Sequence, residues 1–252
     1  MKRSILFILI FTMLFSMSEV QSSAQLWKMR RYELVAGIGP SFFFGDVGGF
    51  SQSENWLGLK DITFKQTRID LNLNFKYRLS QHFNARASFT YALFHATDIR
   101  GSNENREFEA SISGFEPALI GEYYFIKNKS ETSYLFTRGK GNRSRSLLKS
   151  LDFYAFTGIG GLIYSIKPNE NLERTGLDTK GFATIIPVGL GTTLIYSPDI
   201  NFGLELGGRY AFSDYIDGYT SQYSSSNDVY YFFNFTFTYK LKTGPRGFPS
   251  FR

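Results

Sequence analysis

Residues 68–79 read RIDLNLNFKYRL. Ile69, Leu71, Leu73, Phe75, Tyr77 and Leu79 fall on one side of an extended chain, and Arg68, Asp70, Asn72, Asn74, Lys76 and Arg78 fall on the other. Successive side chains of a strand point to opposite faces, so an unbroken period of two predicts a β-strand with one apolar and one charged face. The stretch is also about twice as long as an ordinary strand of 5–6 residues. Any fold for this chain must explain both the length and the sharpness of the two faces.

The same alternation recurs. In 84–93, Ala85, Ala87, Phe89, Tyr91 and Leu93 face away from Arg86, Ser88 and Thr90. In 202–212, Phe202, Leu204, Leu206, Tyr210 and Phe212 oppose Glu205 and Arg209. In 231–241, Tyr231, Phe233, Phe235, Phe237, Tyr239 and Leu241 oppose Asn234, Thr236, Thr238 and Lys240. Weaker, glycine-containing candidates lie at 32–43, 115–125, 153–164 and 183–196. These make eight strands. Short links at 80–83 and 197–200 alternate with long polar links at 45–65, 98–109, 165–181 and 214–228. The link at 127–150 breaks the alternation, being long where a short turn belongs.

A soluble sandwich also alternates, with its apolar face in the core. Strands of ten or more residues instead suit a tilted crossing of a bilayer. Aromatic residues make up 18% of the chain, with 27 Phe and 16 Tyr. Transmembrane barrels use such residues as girdles at both membrane interfaces. The expected fold is therefore an all-β, eight-stranded, antiparallel up-and-down barrel of the outer-membrane type. A barrel of eight strands is just wide enough for its own side chains. The expected inward set is Glu33, Arg68, Asp70, Lys76, Arg78, Arg86, Glu116, Glu122, Glu205, Arg209 and Lys240. Both signs are present, and buried charges persist only when paired. An interior ion-pair network built on Arg68, Asp70, Arg86, Glu116, Glu122, Glu205 and Arg209 is expected, and a wide pore is not. Short turns face the periplasm and long loops face out in such barrels, which puts 127–150 on the periplasmic side.

The first segment agrees with export. Lys2 and Arg3 precede an apolar run over 5–17, and Ser22-Ser23-Ala24 follows as a small-residue cleavage site. This is the pattern of a secretory signal peptide over 1–24, leaving 25–252 as one barrel domain. The chain has no Cys, so neither a disulfide framework nor lipoprotein acylation is available to it. A net charge of +6 in an exported chain points to acidic headgroups or acidic proteins, and no nucleic-acid signature accompanies it.

Chemistry is sparse. His82 and His95 are the only histidines. A serine hydrolase needs a hydroxyl activated by a histidine that a third group orients. No spacing singles out a serine beside either one, so no catalytic site, and no enzyme, is expected. With no Cys and no His pair at ligand spacing, neither a metal nor a cofactor is expected. Asp214 and Asp217 in RYAFSDYIDGY (209–219) lack the spacing of a calcium loop. They read as a strand exit whose carboxylates bond local backbone. The segment 127–150, KNKSETSYLFTRGKGNRSRSLLKS, carries seven basic residues against Glu131 alone, with Tyr134, Leu135 and Phe136 beside them. Arg138, Lys140, Arg143, Arg145 and Lys149 are the candidate contacts for an acidic periplasmic partner; a solvated loop is the plainer alternative. The tail 242–252, basic and broken by Pro245 and Pro249, reads as a periplasmic contact or an unstructured end.

Four stretches carry a family likeness: YELVAGIGPSFFFGDVGG (32–49), EPALIGEYYF (116–125), DFYAFTGIGGLIYSIKP (152–168) and GLELGGRYAFSDYIDGY (203–219). Over about 28–241 the chain resembles the small outer-membrane barrels of Bacteroidetes-type bacteria, the family that includes the type IX secretion component PorG. The resemblance implies a non-enzymatic barrel that anchors or helps assemble the secretion and gliding machinery. Its partners would be outer-membrane lipid and a periplasmic ring made by a lipoprotein and its partner, with no small-molecule substrate. A stand-alone structural or adhesive barrel is the first alternative, and a barrel enzyme acting on lipid or peptide the second.

Overall fold

Tyr32 pairs with Tyr77 on one side and with Leu241 on the other, so the first strand is flanked by the second and by the last. That double pairing closes the sheet. The computed structural model describes residues 26–48, 66–99, 104–128, 131, 133–137, 147–220, 227–244 and 247–250. The strands are β1 (Tyr32–Phe44), β2 (Arg68–Arg78), β3 (Phe83–Thr97), β4 (Glu109–Ile126), β5 (Leu151–Pro168), β6 (Lys180–Ile195), β7 (Ile200–Ala211) and β8 (Val229–Thr243). Each pairs antiparallel with the next, and β8 returns to β1. This is the eight-stranded barrel that the alternation predicts. Closure leaves no sheet edge with unpaired backbone groups, which hydrocarbon would not tolerate.

Side-chain direction follows the pleat. Leu71, Leu73, Phe89, Tyr91, Leu119, Ile159, Leu190, Leu206 and Phe235 stand outward and exposed, with Leu73 at 66%. Asn72, Asn74, Lys76, Arg86, Glu116, Glu205 and Lys240 stand inward and buried. A continuous apolar ring on the outside of a barrel with charges inside inverts a soluble core. No helix among the described residues is long and apolar enough to cross a membrane. Aromatic pairs flank the belt at both ends. Phe83 with Tyr123 and Tyr32 with Tyr77 sit at the short-turn end, and Phe44 with Tyr231 and Tyr210 with Phe212 at the long-loop end.

The interior divides along the axis. Charged residues gather toward the short turns. The half nearer the long loops holds an apolar core of Phe43, Phe94, Ile112, Leu162, Ile166, Ile185, Tyr230 and Phe232. Phe94 stacks on Phe232 with ring centres 5.9 Å apart. The cause is strand length. β4 and β5 run 18 residues each, well past the expected 115–125 and 153–164, and their extra turns of the pleat point apolar side chains inward above the bilayer span. The tail also differs from an unstructured end. Pro249–Ser250 forms a short β9 on Thr243 and Lys242, and the Tyr32 hydroxyl donates to the Gly247 carbonyl at 2.9 Å.

Candidate functional site

Three places concentrate polar side chains. The first is the barrel interior near the short turns. Arg86 on β3 reaches across to Glu205 on β7 with two hydrogen bonds, 2.6 and 3.1 Å. The Tyr154 hydroxyl donates to the same carboxylate at 2.8 Å. Lys76 pairs with Glu122 at 2.7 Å, and Arg86 also approaches Glu122 at 3.3 Å. Higher up, Arg209 pairs with Glu116 at 3.3 Å, and the Tyr230 hydroxyl donates to Glu116 at 2.7 Å. Two members of the sequence-derived set sit elsewhere than in these pairs. Asp70 is fully buried and makes no ion pair among the described residues. Arg68 is half-buried at the long-loop end, where its guanidinium donates to the Thr67 carbonyl at 3.0 Å. β2 enters the barrel from the loop side, which puts Arg68 at the long-loop end; Asp70 stands near Arg209 and Glu116 without an ion pair to Arg209.

The second place is the mouth at the short-turn end. Here the described residues of the 127–150 segment pack against the barrel. Glu131 pairs with the inward Arg78 at 2.5 Å, and Arg78 also binds Glu33 at 2.8 Å. Burial pushes the Glu131 carboxyl up, but Arg78, Lys240 and Lys127 outweigh it and hold it below the ordinary range. Lys127 pairs with Asp152 at 2.8 Å, and the Asn128 amide donates to Asp152 at 2.7 Å. The Leu135 amide donates to the Tyr196 carbonyl, which fixes the short helix Tyr134–Thr137 at the rim. Phe136 and Leu148 remain 71% and 64% exposed. Lys149 is exposed on a helical turn at 147–149. Arg138, Lys140, Arg143 and Arg145 lie outside the described residues. Glu131, which looked like the lone exception to a basic run, is what ties the segment down.

The third place is the long-loop end. Asp217 is buried and accepts from the Val47 amide at 2.8 Å and the Tyr219 amide at 3.0 Å. Asp228 accepts from the Ile216 amide at 2.8 Å. The two carboxylates converge on Gly45, where a Cβ would meet Asp217 Oδ2 at 2.6 Å and Asp228 Oδ1 at 2.7 Å. Burial, with Asp46 and Asp214 nearby, pushes Asp217 up to about 7. Burial and Asp217 push Asp228 well up too. The reading of Asp217 as a purely local turn residue is thus incomplete: one of its two bonds crosses to the first loop. Asp98 does similar work, accepting from the Gly48 amide at 2.8 Å and from Arg106 at 3.0 and 3.1 Å.

On the outer wall at the same end, His95 is buried between two partners. Its Nδ1 lies 3.3 Å from Ser111 Oγ and its Nε2 lies 3.4 Å from Glu109 Oε1. The β3–β4 register makes Ser111 the cross-strand partner of His95. No sequence spacing marks such a pair, because only the register brings it together. His82 differs: its turn uses backbone bonds, accepting from the Tyr124 amide and donating to Ser80 Oγ. Among the described residues no group of three or more His, Cys, Asp or Glu is placed to hold a metal.

The family described as "Domain of unknown function (DUF6089)" matches residues 4–247, almost the whole chain. The chain belongs to that family. No curated protein matches this DUF6089 chain in sequence. Among solved structures it is similar to Neisserial surface protein A, at 10% identity and a TM-score of 0.44, covering 83% of this chain and 97% of that one. It is also similar to a major outer membrane protein from Thermus thermophilus, at 12% identity and a TM-score of 0.44, covering 84% and 98%. Ail, the attachment invasion locus protein of Yersinia pestis, gives 12% identity and a TM-score of 0.40, covering 84% and 97%. The membrane reading rests on this DUF6089 barrel's own belt and not on those likenesses.

Proposed function

We propose that this chain is an exported outer-membrane barrel that anchors a periplasmic assembly, as a component of type IX secretion and the gliding that depends on it. The supporting observation is the tie-down of 127–150. A segment of that length at the short-turn end would ordinarily hang free. Here Glu131 on Arg78 and Lys127 on Asp152 lock its first part into the barrel mouth, while Phe136, Leu148 and Lys149 are displayed outward. A fixed base under a basic and apolar display suits a docking element better than a solvated loop. The filled interior suits anchoring better than transport. The signal peptide expected over 1–24 lies outside the described residues; it and the resemblance to the PorG-containing barrel family support the outer membrane and the secretion role. The partner on this reading is the acidic face of a periplasmic ring, and Arg138, Lys140, Arg143, Arg145 and Lys149 make the contact.

The test reverses those five charges to Glu and leaves Glu131 and Lys127 in place. The variant is expected to insert and migrate as a folded barrel, to lose co-purifying periplasmic protein, and to lose secretion. Secretion and co-purification at wild-type levels would remove the docking role.

A further inference from the structure

We propose that Ser111, His95 and Glu109 form a serine-hydrolase site on the outer wall of the barrel that cleaves acyl esters of membrane amphiphiles. This goes beyond the anchoring role and is independent of it, since the two sites lie at opposite ends of the strands.

The arrangement meets the requirement that sequence spacing could not: a hydroxyl beside an imidazole, with a carboxylate on the imidazole's other nitrogen. Ser111 Oγ is 3.3 Å from His95 Nδ1, and Glu109 Oε1 is 3.4 Å from His95 Nε2. Resting catalytic hydrogen bonds are often this long and tighten with substrate bound. The Glu109 carboxylate, 3.4 Å from Nε2, favours the tautomer protonated there, which leaves Nδ1 free to accept the serine proton. All three side chains stand on the same outward face, on strands whose register fixes their spacing. His95 is 7% exposed, and Ser111 is open to the outside. The histidine is held while the nucleophile is reachable.

The surroundings select the substrate. Below the site on the same face, Tyr91 and Phe115 are paired across β3 and β4, and Phe89 stacks with Phe115. These rings lead down into the apolar belt and offer a track for an acyl chain. Above the site lies a cleft of about 310 Å³ lined by Thr97, Ile99, Glu107, Glu109, Asn169 and Asn171, which suits a polar headgroup. Lys167, the partner of Ser111 on β5, is exposed on the same face and supplies a cation for an anionic head. An ester carbonyl at the lipid–water border falls between track and cleft, level with Ser111.

The chemistry balances without a cofactor. Ser111 Oγ attacks the ester carbonyl carbon as its proton passes to His95. The C–O bond to the alcohol breaks, and the departing oxygen takes that proton from His95. Water then attacks the acyl-serine, giving a proton to His95, and the acyl–Oγ bond breaks as the serine recovers it. The products are a carboxylic acid and an alcohol.

The test uses the purified full chain in mixed vesicles, one arm of diacyl phosphatidylethanolamine and the other of an acylated glycolipid, with released fatty acid measured. A fluorophosphonate probe reports the nucleophile by mass. Release is expected in at least one arm, and which arm responds distinguishes the two sources of the ester. S111A should abolish release and probe labelling. H95A should lower release by about 10²–10⁴-fold. Glu109 is a positioning residue, so E109Q should lower kcat with KM unchanged. H82A, altered only in the turn at the other end, should match wild type. Heat-modifiable migration of each variant shows that it still folds. Release that survives S111A, labelling at another serine, or no release in either arm would overturn the proposal.

Discussion

Arg86 and Glu205 stand on strands β3 and β7, and they meet through two hydrogen bonds, 2.6 and 3.1 Å, inside the barrel. Both are buried, so neither charge has water to fall back on. E205Q leaves Arg86 with only the longer approach to Glu122 at 3.3 Å. Removing one partner of a buried pair costs about 3–5 kcal/mol. The loss here should sit near about 3 kcal/mol, because Glu122 remains. Urea unfolding from lipid vesicles measures it. The double substitution R86M/E205M should recover most of the loss, since it removes both buried charges together.

The carboxylates at the long-loop end make stability fall as pH rises. Asp217 holds its proton up to about 7 when folded, above its ordinary 3.8, and Asp228 is shifted the same way. Between about pH 4 and 7 these two carboxyls therefore hold more protons in the folded chain than in the unfolded chain. The stabilisation is full below that window and is lost as pH passes through about 7. Unfolding free energies at pH 5, 6, 7 and 8 should decline in that order. D228N should flatten the decline, because Asn keeps an acceptor for the Ile216 amide and removes the charge beside Asp217.

Gly207 on β7 faces Phe156 and Arg209. A Cβ there would come within 2.6 Å of Arg209 Nη1 and 2.7 Å of Phe156 Cζ. G207A should therefore overpack the interior and cost about 1–3 kcal/mol. The same substitution at Gly176, where nothing lies within 4 Å but φ is +74°, should act through backbone strain alone. Comparing the two unfolding curves separates crowding from strain.

Leu73 is among the most exposed members of the outward ring. Arg placed at the midplane of a lipid-facing strand costs about 2–4 kcal/mol, falling toward zero at the interfaces. L73R should therefore reduce folding into vesicles strongly, and Arg in place of Phe83, at the short-turn rim, should do so weakly. Folded yield on unboiled gels distinguishes them.

The barrel was legible because RIDLNLNFKYRL, and its counterparts at 84–93, 202–212 and 231–241, keep strict alternation over their whole length. Alternation encodes the inside and the outside at once, so Arg86, Glu205 and Arg209 could be placed inward from the chain alone. The apolar core around Phe94 and Phe232 was not legible, because those residues belong to stretches where both faces are apolar and the period carries no contrast. Ser111 and His95 were invisible for another reason. They are 16 residues apart in the chain, and only the β3–β4 register makes them neighbours. The same holds for Glu131 and Arg78, which are 53 residues apart and meet only because Glu131 sits at the barrel mouth. Sequence periodicity reports which way a side chain points, and it is silent on what stands across from it.

The most direct test of the membrane-spanning barrel uses the absence of native cysteine. Single cysteines placed in turn at 69–77 can each carry a spin label, with the protein in lipid vesicles. Collision with oxygen, which concentrates in the bilayer, and with a water-soluble nickel chelate reports the surroundings of each label. Labels at 69, 71, 73, 75 and 77 should meet oxygen, and labels at 70, 72, 74 and 76 should be shielded from it, in strict alternation. A uniform preference for the nickel chelate along the stretch, or a period near 3.6, would contradict the barrel.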